Sequence, residues 1–358
     1  CRPCCKRFCV GDGSVLANIW NTVYPILIAI LFFELIIIIH EGGHYFAARM
    51  MKIKVNEFSI GMGPKLFGFT KGDTKYTLRL ILFGGYCAME GESEESDDEN
   101  SFAKKKVIQR IFVVVAGALM NLILGFVIIA IMVSSSNLVG TTKIAKFDDS
   151  AVSSSVLQQG DEIKAIDGMR VYTSTDVTTG LSRSLDDTLE MVVVRDGEQL
   201  TLDVKFDMQE YEGKNFIAMD FWLLGVPKTF LNVVKETAMQ WLSFARMVFL
   251  SVHDMLVGRY GLTDMSGPVG AVSIVSSAVK TSALSMLRIM ALLTINVGLF
   301  NLFPIPALDG WRLFLLIFEG IFKRKLPEKW EWAINGVGLV LLLGLMCVIT
   351  FSDITKLV

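Results

Sequence analysis

Hydrophobic residues in this chain fall in long, nearly unbroken runs separated by polar, turn-rich stretches. A helix that crosses a bilayer needs roughly 20 largely apolar residues. Ile111 to Val133 is the cleanest such run, 23 residues in which Asn121 is the only strongly polar one. Ala333 to Phe351 is another, ending at Ser352-Asp353. Val23 to Ile39 is interrupted by Pro25 and Glu34 and leads straight into His40-Glu41-Gly42-Gly43-His44. Ile289 to Phe303 continues through Pro304-Ile305-Pro306-Ala307-Leu308-Asp309-Gly310 into a further apolar stretch, Leu313 to Phe318. The pattern predicts four transmembrane segments, over residues 19–48, 107–133, 284–320 and 331–351. Arg2, Lys6 and Arg7 ahead of the first run would also suit a signal peptide, but the run is too long and no small-residue cleavage site follows it.

The stretches between the runs have patterns of their own. Within the loop 49–106, Ile53 to Met62 and Tyr76 to Tyr86 are rich in β-formers and punctuated by Gly61, Gly63, Gly84 and Gly85. They predict a membrane-associated β-hairpin, which at membrane depth is tolerated only where it lines a protein cavity. Glu90 to Glu99 carries seven carboxylates and reads as a solvated connector. Residues 138–208 alternate as short strands around Gly160-Asp161, Asp167-Gly168 and Asp196-Gly197 turns. This segment resembles a PDZ domain, a small α/β module whose Gly-Asp turn, strand and Asp-Gly turn precede a valine, here Val171. The connector 209–283 includes Thr229 to Val257, apolar but broken by Lys235, Glu236, Arg246 and His253, and predicts an amphipathic helix on the outer membrane surface.

Composition agrees with a membrane solvent. Hydrophobic residues make up 52% and charged residues 20%, too few charges to solvate a soluble surface of this size. Mean hydropathy is +0.51. Intrinsic disorder is excluded by the same numbers. The net charge of -2 leaves no global basic field, so nucleic acid is not an expected partner and the lipid bilayer is. Orientation follows from basic residues near the spans. Arg49 to Arg110 holds eleven Lys/Arg, whereas Ser134 to Thr142 holds none. With Lys323-Arg324-Lys325 before the last span, this predicts a cytoplasmic hairpin loop, an extracytoplasmic PDZ-like domain and both termini outside. Cys1, Cys4, Cys5 and Cys9 crowd a Cys-rich tail, 1–18, to which no chemistry is assigned.

The ionisable residues inside apolar segments carry the candidate chemistry, because such groups are expensive there and mark functional sites. His40-Glu41-Gly42-Gly43-His44 has the H-E-x-x-H spacing of zinc hydrolases. On a helix, residues four apart share a face, so both imidazoles can reach one Zn²⁺ while Glu41 stands beside them as the base. A catalytic zinc takes three protein ligands. His253 is the only other histidine and lies in the predicted surface segment, so the third ligand is expected to be a carboxylate. Glu34, seven residues before Glu41, is roughly 10 Å away along the helix and too far. Asp309 follows the helix-breaking Pro304-Ile305-Pro306 and precedes Gly310, which permits close approach. Asp309 is the first choice and Glu319 the second.

At this point the residues resemble a known family, the site-2 intramembrane metalloproteases of the bacterial type with one PDZ domain. The resemblance covers nearly the whole chain from about Ile26 and rests on His40 to His44 with Tyr45, Phe46, Ala47 and Arg49, and on Asn301, Pro304, Pro306, Asp309 and Gly310. Lesser matches are Gly61-Met62-Gly63, Gly84-Gly85-Tyr86, Ala116-Gly117 with Met120-Asn121, and Ser266 to Gly270. It implies a zinc endopeptidase of the cell membrane with ligands His40, His44 and Asp309 and Glu41 as base. Its implied substrates are transmembrane segments of other proteins, such as membrane-tethered anti-sigma factors or remnant signal peptides. Asn121, Asn301 and the strand around Gly84, Gly85 and Tyr86 are candidates for holding an unwound substrate. Trp311, Ala118, Leu82 and Glu34 depart from the family pattern, and Trp311 and Glu34 stand where they could alter access. The rival classes are a membrane metal transporter, which would stack more polar residues through the bilayer, and a catalytically inactive PDZ scaffold, against which the intact motif argues.

Overall fold

The first apolar run folds as one continuous helix, α1 (Gly11–Met50). It is apolar all round, as a membrane span requires, and it stops where Lys52 turns left-handed and the Ile53 N–H reaches back 2.8 Å to the Ala48 carbonyl. The computed structural model describes residues 11–92, 96–184, 186–211, 214–258, 261, 266–324 and 327–357, so the tail cysteines Cys1, Cys4, Cys5 and Cys9 lie outside the described residues. The chain divides into two units, residues 1–128 with 250–358, and residues 129–249.

In the first unit, β1 (Val55–Lys71) and β2 (Thr74–Met89) are joined by the tight turn Gly72-Asp73, and both outrun the expected strands 53–62 and 76–86. Residues 57–60 pair with 75–78 on one side and with 85–88 on the other. Among the described residues, 85–88 therefore keep one unpaired edge. Next comes α2 (Val107–Ser135). Ala47, Ala48, Val55, Cys87, Val113 and Ala116 form a buried cluster that ties α1, the sheet and α2 together.

The second unit is a small β-domain. Strands β3 (Leu138–Phe147), β4 (Glu162–Ile166) and β5 (Met169–Arg170) precede α3 (Ser174–Arg183). They are followed by β6 (Thr188–Arg195), β7 (Glu198–Lys205), β8 (Met208–Tyr211), β9 (Lys214–Ile217) and β10 (Phe221–Pro227). The main sheet has the order β10-β3-β4-β6-β7, with β5 beside β4. The expected turns are present, Asp167-Gly168 and Asp196-Gly197 both having positive φ, as two-residue hairpin turns demand. The expected end at residue 208 falls short. β10 pairs with β3 and places Phe221 in the core at 1% exposure, a closure by distant strands that local alternation does not reveal. Asp161 is held below the usual carboxylate range, because the Arg195 guanidinium and the Gln158 N–H outweigh the burial that would raise it. The segment expected as an amphipathic helix folds as α4 (Phe230–Leu256). Its 230–249 part is fastened to α3 in a way the sequence reading did not anticipate. Arg246 donates to the Asp176 carboxylate and, at 2.6 Å, to the Arg170 carbonyl, and Ser243 donates to Asp176 at 3.0 Å.

The chain returns to the first unit with α5 (Pro268–Thr281), α6 (Ala283–Phe300), α7 (Asp309–Phe322) and α8 (Glu328–Leu357). The expected third segment, 284–320, is thus two helices and a break. Pro304 and Pro306 supply no N–H, and Ala307 takes a left-handed conformation at φ 72, which costs about 1–3 kcal/mol at a non-glycine residue. Asp353 of α8 accepts the Gly267 and Gly270 N–H groups at 2.9 and 2.8 Å and so caps α5. Four described helices are long and apolar enough to cross a membrane: Trp20–Met50, Val107–Ser135, Ala283–Phe300 and Lys329–Lys356.

Candidate metal centre

Helical spacing stacks His40 and His44 on one face of α1, with ring centroids 4.8 Å apart and both side chains buried. The opposing wall is α2. Gly43 brings the two backbones together, since a Cβ there would stand 2.4 Å from the Ala116 carbonyl oxygen. That approach puts the Val113 carbonyl 2.8 Å from His44 Nδ1. The third group arrives from the break. Gly310 lets α7 begin against the Leu302-Phe303 turn, where a Cβ would lie 2.1 Å from the Phe303 oxygen. Asp309, the first residue of α7, then reaches His40 Nε2 at 2.9 Å and His44 Nε2 at 3.1 Å through Oδ2.

The donor chemistry suits a cation. His44 donates its Nδ1–H to Val113, so the neutral ring presents a lone pair at Nε2. That lone pair faces the Asp309 carboxylate and the His40 Nε2, 3.3 Å away. The His44 lone pair and the Asp309 carboxylate are two acceptors 3.1 Å apart, which repel unless a proton or a metal cation lies between them. Tetrahedral zinc with bonds of 2.0–2.1 Å separates neighbouring ligand atoms by about 3.3 Å. Among the described residues, His40, His44 and Asp309 are the group of histidine and acid side chains that could hold a metal.

Around this centre, Glu41 is half-buried and its Cγ lies 3.5 Å from where a Gly85 Cβ would be, so β2 passes close beside the Glu41 side chain. Gly117 of α2 closes the opposite side. Its own Cβ would stand 2.3 Å from His44 Nε2 and 2.9 Å from His40 Cε1. Sequence reading noted Ala116-Gly117 only as a family match and missed this role, which depends on a contact between helices. Gly117→Ala is expected to cost about 1–3 kcal/mol of overpacking, about 5- to 150-fold if it falls on metal affinity. Chelator competition on the purified protein measures it, and an unchanged affinity would show that the cradle does not need glycine.

The remaining candidates divide. Asn121 is fully buried on α2, one turn past Gly117, with neither amide atom hydrogen-bonded. Asn301 is half-buried at the end of α6. Gly84, at φ 115, bends β2 just before Gly85. Tyr86 is engaged within the sheet, its hydroxyl accepting from Arg79 at 2.6 Å. Arg79 also binds Glu57, whose carboxyl is held down to about 2 by Thr77 and Arg79 despite the burial that opposes it. Glu319, the second choice for third ligand, instead accepts from Arg110 at 2.6 Å. Glu34 is 5% exposed with both oxygens unpaired, and Trp311 stacks on Phe314 with its Nε1 unpaired.

Comparison with known proteins agrees with this chemistry. The model of Peptidase family M50 matches residues 28–345. A Clostridium perfringens protein, provisionally named a zinc metalloprotease, is 36% identical over 330 residues, covering 92% of this chain and 98% of its own length. The zinc metalloprotease RasP of Shouchella clausii is 28% identical, covering 93% of this chain and 99% of its own. The Bacillus subtilis protein named regulator of sigma-W protease RasP is 26% identical, covering 94% and 99%.

Proposed function

Because the chain belongs to peptidase family M50, we propose that His40, His44 and Asp309 hold the zinc ion of a membrane endopeptidase and that Glu41 is its general base. The observation that carries this reading is the convergence of the three ligand atoms from two distant segments of the chain. The substrate class is a transmembrane segment of another membrane protein. A resemblance to the sigma-W regulator protease RasP favours membrane-tethered anti-sigma factors, and remnant signal peptides have the same chemistry.

When bound, Zn²⁺ supplies Lewis-acid polarisation of the scissile carbonyl and acidifies the attacking water. The protein does the rest. Glu41 takes the proton from water at its carboxylate and delivers it to the leaving amine. No further histidine lies among the ligands to hold the oxyanion. A helical substrate hides its amides in internal hydrogen bonds, so it must unwind before attack. The unpaired edge of residues 85–88, on a strand that packs beside Glu41, can pair with the extended backbone as an added strand. Asn121, with two unpaired amide atoms, and Asn301 offer further hydrogen bonds to that backbone. The basic loop carrying β1 and β2 faces the cytoplasm of a multi-pass cell-membrane protein. The β-domain, PDZ-like in its turns and helix, lies outside the cell and filters or tethers substrate ectodomains.

The test is direct. Purified protein in detergent, given a single-span membrane protein, is expected to cut it within the span, with the bond located by mass spectrometry. Cleavage only in the flanking soluble segments would overturn the intramembrane assignment.

A further inference from the structure

The third ligand sits on a helix that is keyed into place by charge. Along α7, Asp309, Arg312, Leu316 and Glu319 are spaced by three or four residues and share one face. Leu316, 5% exposed, packs into the buried cluster with Ala47, Val113 and Cys87. The two charges flanking it are both matched. Arg312 donates to the Glu92 side chain and, at 2.6 Å, to the Glu92 carbonyl, with its guanidinium 5.1 Å from the Phe102 ring centroid. Glu92 in turn accepts the Met89 N–H at 3.1 Å. Seven residues further along α7, Glu319 accepts from Arg110 at 2.6 Å, with side chains only 17% and 9% exposed.

The partners come from the elements that build the rest of the centre. Glu92 follows β2, whose Gly85 covers Glu41. Arg110 lies in the first turn of α2, which supplies the Val113 carbonyl and Gly117. The signs are opposite at the two positions: a base on α7 meets an acid, and an acid on α7 meets a base. Sliding α7 by one turn would break both pairs and leave buried charge uncompensated. Fixing a single register is the best-attested use of buried ion pairs.

We propose that the Arg312–Glu92 and Arg110–Glu319 pairs set the register of α7 and thereby hold Asp309 against His40 and His44. The four residues are positioning residues. This inference rests on the reading of His40, His44 and Asp309 as a metal centre.

Charge reversal tests it at the more exposed pair, since removing Glu319 would strand the buried Arg110. The full-length chain is prepared as wild type, Arg312→Glu, Glu92→Arg and the double variant. Zinc affinity is measured by chelator competition, the Co²⁺ absorption spectrum reports ligand geometry, and thermal unfolding of metal-free protein reports folding. Each single reversal is expected to weaken metal binding about 10- to 100-fold, the range for losing a group that orients a ligand. It should also shift the Co²⁺ spectrum, and the double reversal should recover most of both. Single variants with wild-type affinity and spectrum, or a double variant no better than its parents, would overturn the register role. If Arg312→Glu does not fold, Arg312→Gln takes its place, with weaker binding expected and unchanged binding overturning the proposal. His40→Ala serves as the control. Metal retained there refutes the metal centre itself, whereas metal lost there but kept in Arg312→Glu refutes only the register.

Discussion

Glu41→Gln is expected to lower cleavage of a single-span substrate by about 10²–10⁴-fold, the usual contribution of a positioned acid–base group, while zinc stays bound. The two halves of this result have separate physical grounds. Glutamine keeps the shape of glutamate, so the packing of Glu41 beneath Gly85 is preserved. It cannot take up a proton at the carboxylate position, so water is no longer activated and the leaving amine receives no proton. The proposed ligand atoms belong to His40, His44 and Asp309, and the substitution replaces none of them. Metal content and cleavage measured on the same preparation distinguish the cases. A variant as active as wild type would remove Glu41 from the base role. Loss of both zinc and activity would make it a ligand.

Asp309→Asn should act on the metal first. It replaces the shared carboxylate oxygen, 2.9 and 3.1 Å from the two histidine nitrogens, by a neutral amide that ligates poorly. Removing a group that merely orients a ligand costs 10–100-fold in affinity, so losing the anionic ligand itself should cost more than about 100-fold. Cleavage should fall in parallel and recover in part at high zinc concentration. Normal zinc content in Asp309→Asn would move the third ligand elsewhere. Glu319 is a poor alternative, because its carboxylate is already neutralised by Arg110.

Much of this molecule was legible as a sequence because much of it is local. The four apolar runs needed only length and composition, and all four reappear as helices able to span a membrane. The His40–His44 spacing needed only the period of a helix. Pro304 and Pro306 announced the break that separates α6 from α7. The Asp-Gly pairs announced hairpin turns. In each case one short segment carries its own steric or solvation demand, so no distant partner has to be known.

What the tertiary structure decided is of another kind. Asp309 was selected from the sequence by elimination, but the structure brings it to His44 across 265 residues of chain. β10 completes the β-domain by pairing with β3, which moved that domain's end beyond residue 208. Glu319 reads as a possible ligand yet pairs with Arg110. Gly117 is only a family match in the sequence until α2 is laid against α1. By itself, then, the sequence determined the membrane solvent, the two histidines one helical turn apart with Glu41 beside them, and the place where a helix must break. The burial, pairing and register of the remaining charges belonged to the folded chain. A charge costs little until packing removes its water, and only the folded chain shows which opposite group has been brought near enough to compensate it.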